Sequence, residues 1–304
     1  MTPDTSWNSL FKPGEATEYF KTSGLAAPAA IQIKTNRFNL SNAWWLAEAS
    51  RLIYHPDFAN DINISFGAFH FEQQAYIENT ETSTHAALLK VTQEPACLII
   101  VFRGSDEAED WGINTQINQS DFTNKGKVHS GFKKAYLSIR EDLFSELKNN
   151  SLPLFITGHS LGAALAALAT SELYENKHFD SCYTFGSPRI GNSEFVNSVR
   201  SKSIYRIVNN SDIVTTIPID FKTINYRHIG LSYLIDDKNT LKEGLSETDI
   251  YDFQKTKIKD LKSYALSKLF NKELNTIKND LPSFLVDHSP INYVIALKAL
   301  LKQD

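Results

Sequence analysis

Ser160, Asp212 and His288 are the residues of this chain whose types together support nucleophilic chemistry. A serine hydroxyl is a poor nucleophile near neutral pH, so it needs a base to take its proton and an acid to orient that base. Ser160 lies in Gly158-His159-Ser160-Leu161-Gly162, between the apolar run 154–157 and an Ala/Leu stretch that reaches Lys177. G-x-S-x-G between a strand and a helix is a strained turn that holds the hydroxyl at the strand tip. The helix after it points free N–H groups and a positive dipole end at any oxyanion formed beside Ser160. The glycines suit a turn where neighbouring backbone passes too close for a Cβ. Ala163, Ala164, Ala166, Ala167 and Ala169 let the helix sit close to a sheet. The five-residue motif is weak by itself, and this context separates it from a chance match. Residues 149–171 carry no Asp, Glu, Lys or Arg, but Pro153, Gly158, His159 and Gly162 break the stretch, which excludes one apolar membrane helix.

In α/β-hydrolases the three groups follow in the order Ser, Asp/Glu, His, and Ser160, Asp212, His288 keeps that order. Asp212 follows the strand 203–208, closed by Asn209-Asn210-Ser211. Parallel strands deliver their C-terminal ends to one sheet edge, so Asp212 and Ser160 share an edge; the plainer reading of Asp212 is a turn cap. Among the other histidines, His159 adjoins Ser160 and cannot easily fold back on it. His129 precedes the nucleophile, and His228 sits in a strand pattern where a packed histidine is the default. His288 lies in a loop before a helix with Ser289 as N-cap and Pro290 at N1, a position able to reach a site. Asp287 adjoins His288 and is badly placed to orient its ring. The oxyanion donors expected of this arrangement are the N–H of Leu161 and a group in the turn after the run 96–102, where Ser105 stands; a turn-capping serine is the alternative there.

The elements that must position these groups follow in order. Residues 1–35 lack clear periodicity and are expected to wrap the surface. A helix capped by Ser41 is expected through Tyr54, then short strands over 62–93 as an antiparallel lead-in. The uniformly apolar run 96–102 reads as a central strand buried on both faces. Residues 106–128 are a long polar loop, the usual form of a lid, and a helix over about 131–148 leads into the elbow strand. Strands follow at 181–185, 203–208 and 221–233. Residues 236–287 turn charged with apolar residues at helical spacing, a helical insertion opened by the capping box Ser246 to Asp249. The expectation is an α/β class chain, one domain over 1–304, with a mostly parallel central sheet flanked by helices and a helical insertion before the C-terminal helix. Within it, 1–40 is an N-terminal extension.

The 304 residues, 42% of them hydrophobic, suffice for one large core. A net charge of −4 gives no basic footprint for nucleic acid. Cys97 and Cys182 lie in apolar runs and read as buried free thiols, and no Cys or His spacing fits a metal, so neither cofactor nor metal is expected. The first 20 residues lack a basic segment followed by an apolar one, and the run 25–33 is late, short and interrupted by Pro28. Either a cytoplasmic protein or a secreted form without its signal is expected.

Several blocks carry a family resemblance: AWWLAEASRLIY, IIVFRGS, the pair Asp110-Trp111, VHSGFKKAY, ITGHSLGAALA, YTFGSPRIGN, YRIVNNSDIV, the RHIG around His228 and DHSPINY. Over residues 43–295 the chain resembles the class 3 lipases, the fungal-lipase-like branch of the α/β-hydrolases. The resemblance implies Ser160 as nucleophile, Asp212 as acid and His288 as base, with Ser105 (N–H and hydroxyl) and Leu161 (N–H) as the oxyanion hole. It makes the H-x-G around His228 structural. Ala163 stands where the family often has glycine, a change a helix start tolerates. The implied activity is carboxylic-ester hydrolysis on acylglycerol-type or short-chain esters, with at most transient contact with a lipid surface. Phospholipase A1, a feruloyl-esterase-like activity and a non-catalytic binding scaffold are the alternatives. Between Asp106 and Val128 only Ile113 and Ile117 form an apolar helical pair, which points to short, partly soluble esters over an oil interface.

Overall fold

The computed structural model describes residues 20, 30–55, 58, 71–105, 118–123, 125–199, 203–218, 225–255 and 283–303. The sheet runs β1 (Phe71–Asn79), β2 (Thr84–Val91), β3 (Cys97–Phe102), β6 (Leu154–His159), β7 (Phe179–Phe185), β8 (Ile204–Asn209), β9 (Leu231–Ile235) and β10 (Leu241–Glu243), in that spatial order. The first two strands pair antiparallel, β3 through β9 are parallel, and β10 returns antiparallel at the far edge. A separate hairpin joins β4 (Gln119–Asp121) to β5 (Lys127–His129). This is the mostly parallel α/β sheet expected from the sequence.

β3 and β6 are buried at every position, as strands covered on both faces must be. Alternate residues go to opposite sides. Ile99, Val101, Phe155, Tyr183 and Tyr205 meet α1 (Leu40–Leu52) and the C-terminal helix on one face. Ile100, Phe102, Leu154, Ile156 and Cys182 meet α2 (Ser130–Leu137) and the helix after Ser160 on the other. At about 25 cal/mol per Å² of apolar surface, these two layers are the principal favourable term of folding. The free thiols of Cys97 and Cys182 are buried in them, and burial pushes both up to about 12.

Several local expectations differ. The cap of α1 is Asn39, whose side chain accepts from Asn42 N at 2.8 Å, and not Ser41. The helix before β6 is broken at Ser138 and Ile139 into α2 and α3 (Arg140–Leu147). Part of the N-terminal stretch enters the core: Phe20 stacks on Trp45 at 5.5 Å and Ile31 is buried. The last parallel strand begins at Leu231, so His228 precedes it. Residues 236–243 form a hairpin with β9 before a helix over 247–255 begins; residues 256–282 of the expected insertion lie outside the described residues. Of the expected lid, 106–117 and 124 also lie outside them. Its end is the β4–β5 hairpin, in which Phe122 is buried against Tyr136 and Phe195.

Candidate active site

β6 ends at His159, and α4 (Leu161–Leu173) starts immediately after Ser160. Ser160 is therefore forced into φ 59°, ψ −127°, a region that costs a non-glycine residue of order 1–3 kcal/mol. The turn is held by its surroundings: Ser160 N donates to Phe185 O at 3.0 Å, and Ala163 N takes the first helical bond to Ser160 O at 3.0 Å. Leu161 N–H precedes that bond, at the positive end of the helix. Gly162 sits where a Cβ would come within 2.2 Å of Phe102 O, so the start of α4 lies directly on the end of β3. Ser105 follows β3 and is partly exposed. Its neighbour Gly104 lies against Ser160, since a Cβ there would be 3.2 Å from Ser160 Cβ.

Asp212 follows β8 and caps the 3₁₀ turn Ile213–Thr216, accepting from Val214 N at 2.9 Å. Its carboxylate thus caps the turn, as the plainer reading has it. His288 ends the short helix α7 (Ser283–His288), directly before α8 (Pro290–Leu301), so it sits at a helix junction and not in a flexible loop. Its Nδ1 lies 2.9 and 2.8 Å from the two oxygens of Asp212. Both side chains are fully buried. Nδ1–H donates to the carboxylate, which leaves Nε2 as the ring atom able to exchange a proton. Gly186, with φ +60°, lets the backbone pass against this pair: a Cβ there would be 2.7 Å from Asp212 Oδ2 and 2.9 Å from His288 Nδ1. Gly186 follows Phe185, whose carbonyl accepts from Ser160 N, so the backbone of Ser160 and the Asp212–His288 pair both meet the end of β7.

Further contacts tie these groups together. Tyr293, on α8, donates its hydroxyl to Asp212 Oδ2 at 2.6 Å and accepts from Asn209 N at 3.1 Å. Burial, then the neighbouring Asp212 charge, pushes the Tyr293 phenol well above its ordinary value, so it remains a donor. His159 does not turn back on Ser160. Its Nε2 lies 2.6 Å from the carbonyl of His288, which can only accept, so Nε2 carries the proton. Nδ1 then accepts from the Tyr54 hydroxyl at 3.0 Å. Burial, then the His288 ring, holds His159 well below its ordinary pKa, and it is neutral. Tyr54 in turn accepts from the backbone of Gly104, beside Ser105. Asp287 does not orient His288; its Oδ2 accepts from Asn210 Nδ2 and Ser211 N, both at 3.1 Å, which clamps the 209–212 turn.

The rejected histidines have other work. His129 caps α2 through Nδ1, accepting from Gly131 N and Phe132 N. His228 is buried with Nε2 at 2.8 Å from Thr215 O. Among the described residues no group of three or more His, Cys, Asp or Glu is placed to hold a metal, and no helix is long and apolar enough to cross a membrane.

Comparison with known proteins agrees with this geometry. Residues 99–222 match the family model described as lipase (class 3). The chain is 29% identical over 211 residues to a triacylglycerol lipase of Arabidopsis thaliana, covering 51% of this chain and 41% of that one. It is 27% identical over 190 residues to a secreted mono- and diacylglycerol lipase of Penicillium cyclopium, covering 58% and 60%. It thus spans 41% to 60% of the length of these curated relatives. The solved triacylglyceride lipase of Rhizomucor miehei superposes with a TM-score of 0.57 at 25% identity, covering 69% of this chain and 86% of that one. The matched segment contains most of β3, the Ser160 turn and Asp212, and over residues 99–222 this chain is similar to the class 3 lipases, on a sheet of the α/β-hydrolase type.

Proposed function

We propose that the chain hydrolyses carboxylic esters through an acyl-enzyme on Ser160, with acylglycerol-type or short-chain esters as substrates. The observation that carries this reading is the buried Asp212–His288 pair, bonded through Nδ1, beside a serine held at positive φ. In this mechanism His288 Nε2 takes the Ser160 proton as Oγ attacks the ester carbonyl. The resulting oxyanion accepts from Leu161 N–H and from Ser105. The imidazolium, stabilised by Asp212, returns its proton to the departing alcohol, and the acyl group stays on Ser160. Water, activated by the same nitrogen, then releases the acid.

The names of the relatives, lipases of tri-, di- and monoacylglycerols, support a glycerol ester as substrate. Burial of Phe122 in the core removes the one phenylalanine that 106–128 could offer to an oil surface. Ile113 and Ile117 remain, worth roughly 3–6 kcal/mol of apolar burial. That small gain favours short, partly soluble esters. Initial rate against concentration of tributyrin, taken through its solubility limit, is the test. Saturation below the limit supports the reading. A sharp rise once droplets form makes the enzyme interfacial, and no hydrolysis of any glyceride or p-nitrophenyl ester favours the non-catalytic scaffold.

A further inference from the structure

Beside the 212–216 turn, a small pocket is lined by Arg189, Arg206, Thr215, His228, Glu247 and Gln254, among others. Arg206 is in the middle of β8 and only 3% exposed. Its Nε has no hydrogen-bond partner among the described residues. A buried guanidinium N–H that has lost water without replacement is costly. Arg189, also buried, is already engaged: Nε donates to Glu247 Oε2 at 3.2 Å and Nη1 to the carbonyls of Thr216 and Pro218. Glu247 is engaged too, since its other oxygen accepts from His228 N at 2.9 Å.

Among the described residues that line the pocket, two guanidiniums face one carboxylate, and His228 supplies no negative charge. Burial, then Arg206 and Arg189, keep it well below its ordinary pKa and neutral. The helix over 247–255 forms one wall of the pocket, with Ile250 packed on Val208 and Leu234. A water molecule in the pocket would satisfy N–H groups but leave the positive charge in place. A compact anion would do both. The space between these side chains is small, on the scale of about one water, which favours a monatomic anion over sulfate, phosphate or a carboxylate.

We propose that Arg206 and Arg189, under the helix over 247–255, form a buried halide site that takes one chloride ion. The site is tied to the active-site loop through Gln254, which is fully buried and donates from Nε2 to Asn210 O at 3.0 Å and Asp212 O at 3.1 Å. Bound chloride would hold this helix, and with it the backbone of Asp212, in place.

Two measurements on the full chain test the site. Melting temperature is followed while sodium chloride replaces sodium gluconate at constant ionic strength. A saturable rise of roughly 2–5 °C is expected, because a ligand of the folded state alone stabilises it by mass action. Arg206→Met should abolish that rise. Crystals grown with bromide in place of chloride should show an anomalous peak within hydrogen-bonding distance of Arg206 Nε. The bromide map decides on the unaltered protein even if Arg206→Met does not fold. No chloride response in the unaltered protein, the same response in Arg206→Met, or a bromide map with water at this place would each overturn the proposal.

Discussion

The hydroxyl of Tyr293 donates to Asp212 Oδ2 at 2.6 Å, on the same carboxylate that accepts from His288 Nδ1. The phenol thus fixes the rotamer of the acid and shares its charge. Tyr293→Phe removes one bond to a charged group, worth roughly 1.5–3 kcal/mol. We expect kcat for a soluble ester to fall about 10-fold or more with KM little changed, since the acid acts after substrate binds. A steady-state titration with a p-nitrophenyl ester checks this.

Tyr54 and His159 connect the end of β3 to His288. Gly104 N–H reaches Tyr54, Tyr54 reaches His159, and His159 reaches the carbonyl of His288. Tyr54→Phe breaks the chain twice, leaving Gly104 N–H and His159 Nδ1 without their partner. The expected result is a kcat lower by roughly 10-fold together with a loss of about 1–3 kcal/mol of stability. Denaturant unfolding and kinetics on one preparation separate the two effects.

Gly186→Ala introduces a Cβ 2.7 Å from Asp212 Oδ2 and 2.9 Å from the His288 ring, at a positive φ. Either the backbone or the pair must shift. We expect at least a 10²-fold fall in kcat in a protein that still folds, because misplacement by about 1 Å has that effect. Circular dichroism beside the rate measurement shows whether the fold persists.

His228 and His159 are both held neutral, well below the ordinary histidine value of 6.5. Below pH 6.5 the unfolded chain takes up protons that the folded chain refuses, so stability falls as pH falls and is fully present above 6.5. Melting temperature between pH 7.5 and 5 should decline, and His228→Gln should flatten that decline. The same variant should keep kcat within about threefold at pH 7.5. Loss of turnover in folded His228→Gln, with His288→Ala still active, would reverse the assignment of the base.

The Ser160 turn is legible in the sequence because its signal is local: five residues, a strand before and alanines after. Asp212 and His288 are legible through chain order, although Asp212 also caps a turn. Tyr293 and Tyr54 are not, since their hydroxyls meet partners 81 and 105 residues away and no spacing encodes that approach. The junction at His288 reads as a loop because Ser289-Pro290 announces a helix start and hides the helix that ends there. The hairpin 231–243 is missed for a different reason. Asp236 Oδ1 accepts from Lys238 N and Thr240 N, a tight turn, but the surrounding charge pattern reads as the solvated face of a helix.

Covalent labelling shows whether Ser160 is a nucleophile activated by the Asp212–His288 pair. The folded protein is treated with a fluorophosphonate, and peptide mass spectrometry locates the adduct. Stoichiometric phosphonylation on Ser160 alone is expected, slowed by about 10³-fold or more in His288→Ala, because the serine then lacks its base. A folded protein that takes no adduct, takes it on another residue, or labels Ser160 equally fast without His288 would contradict it.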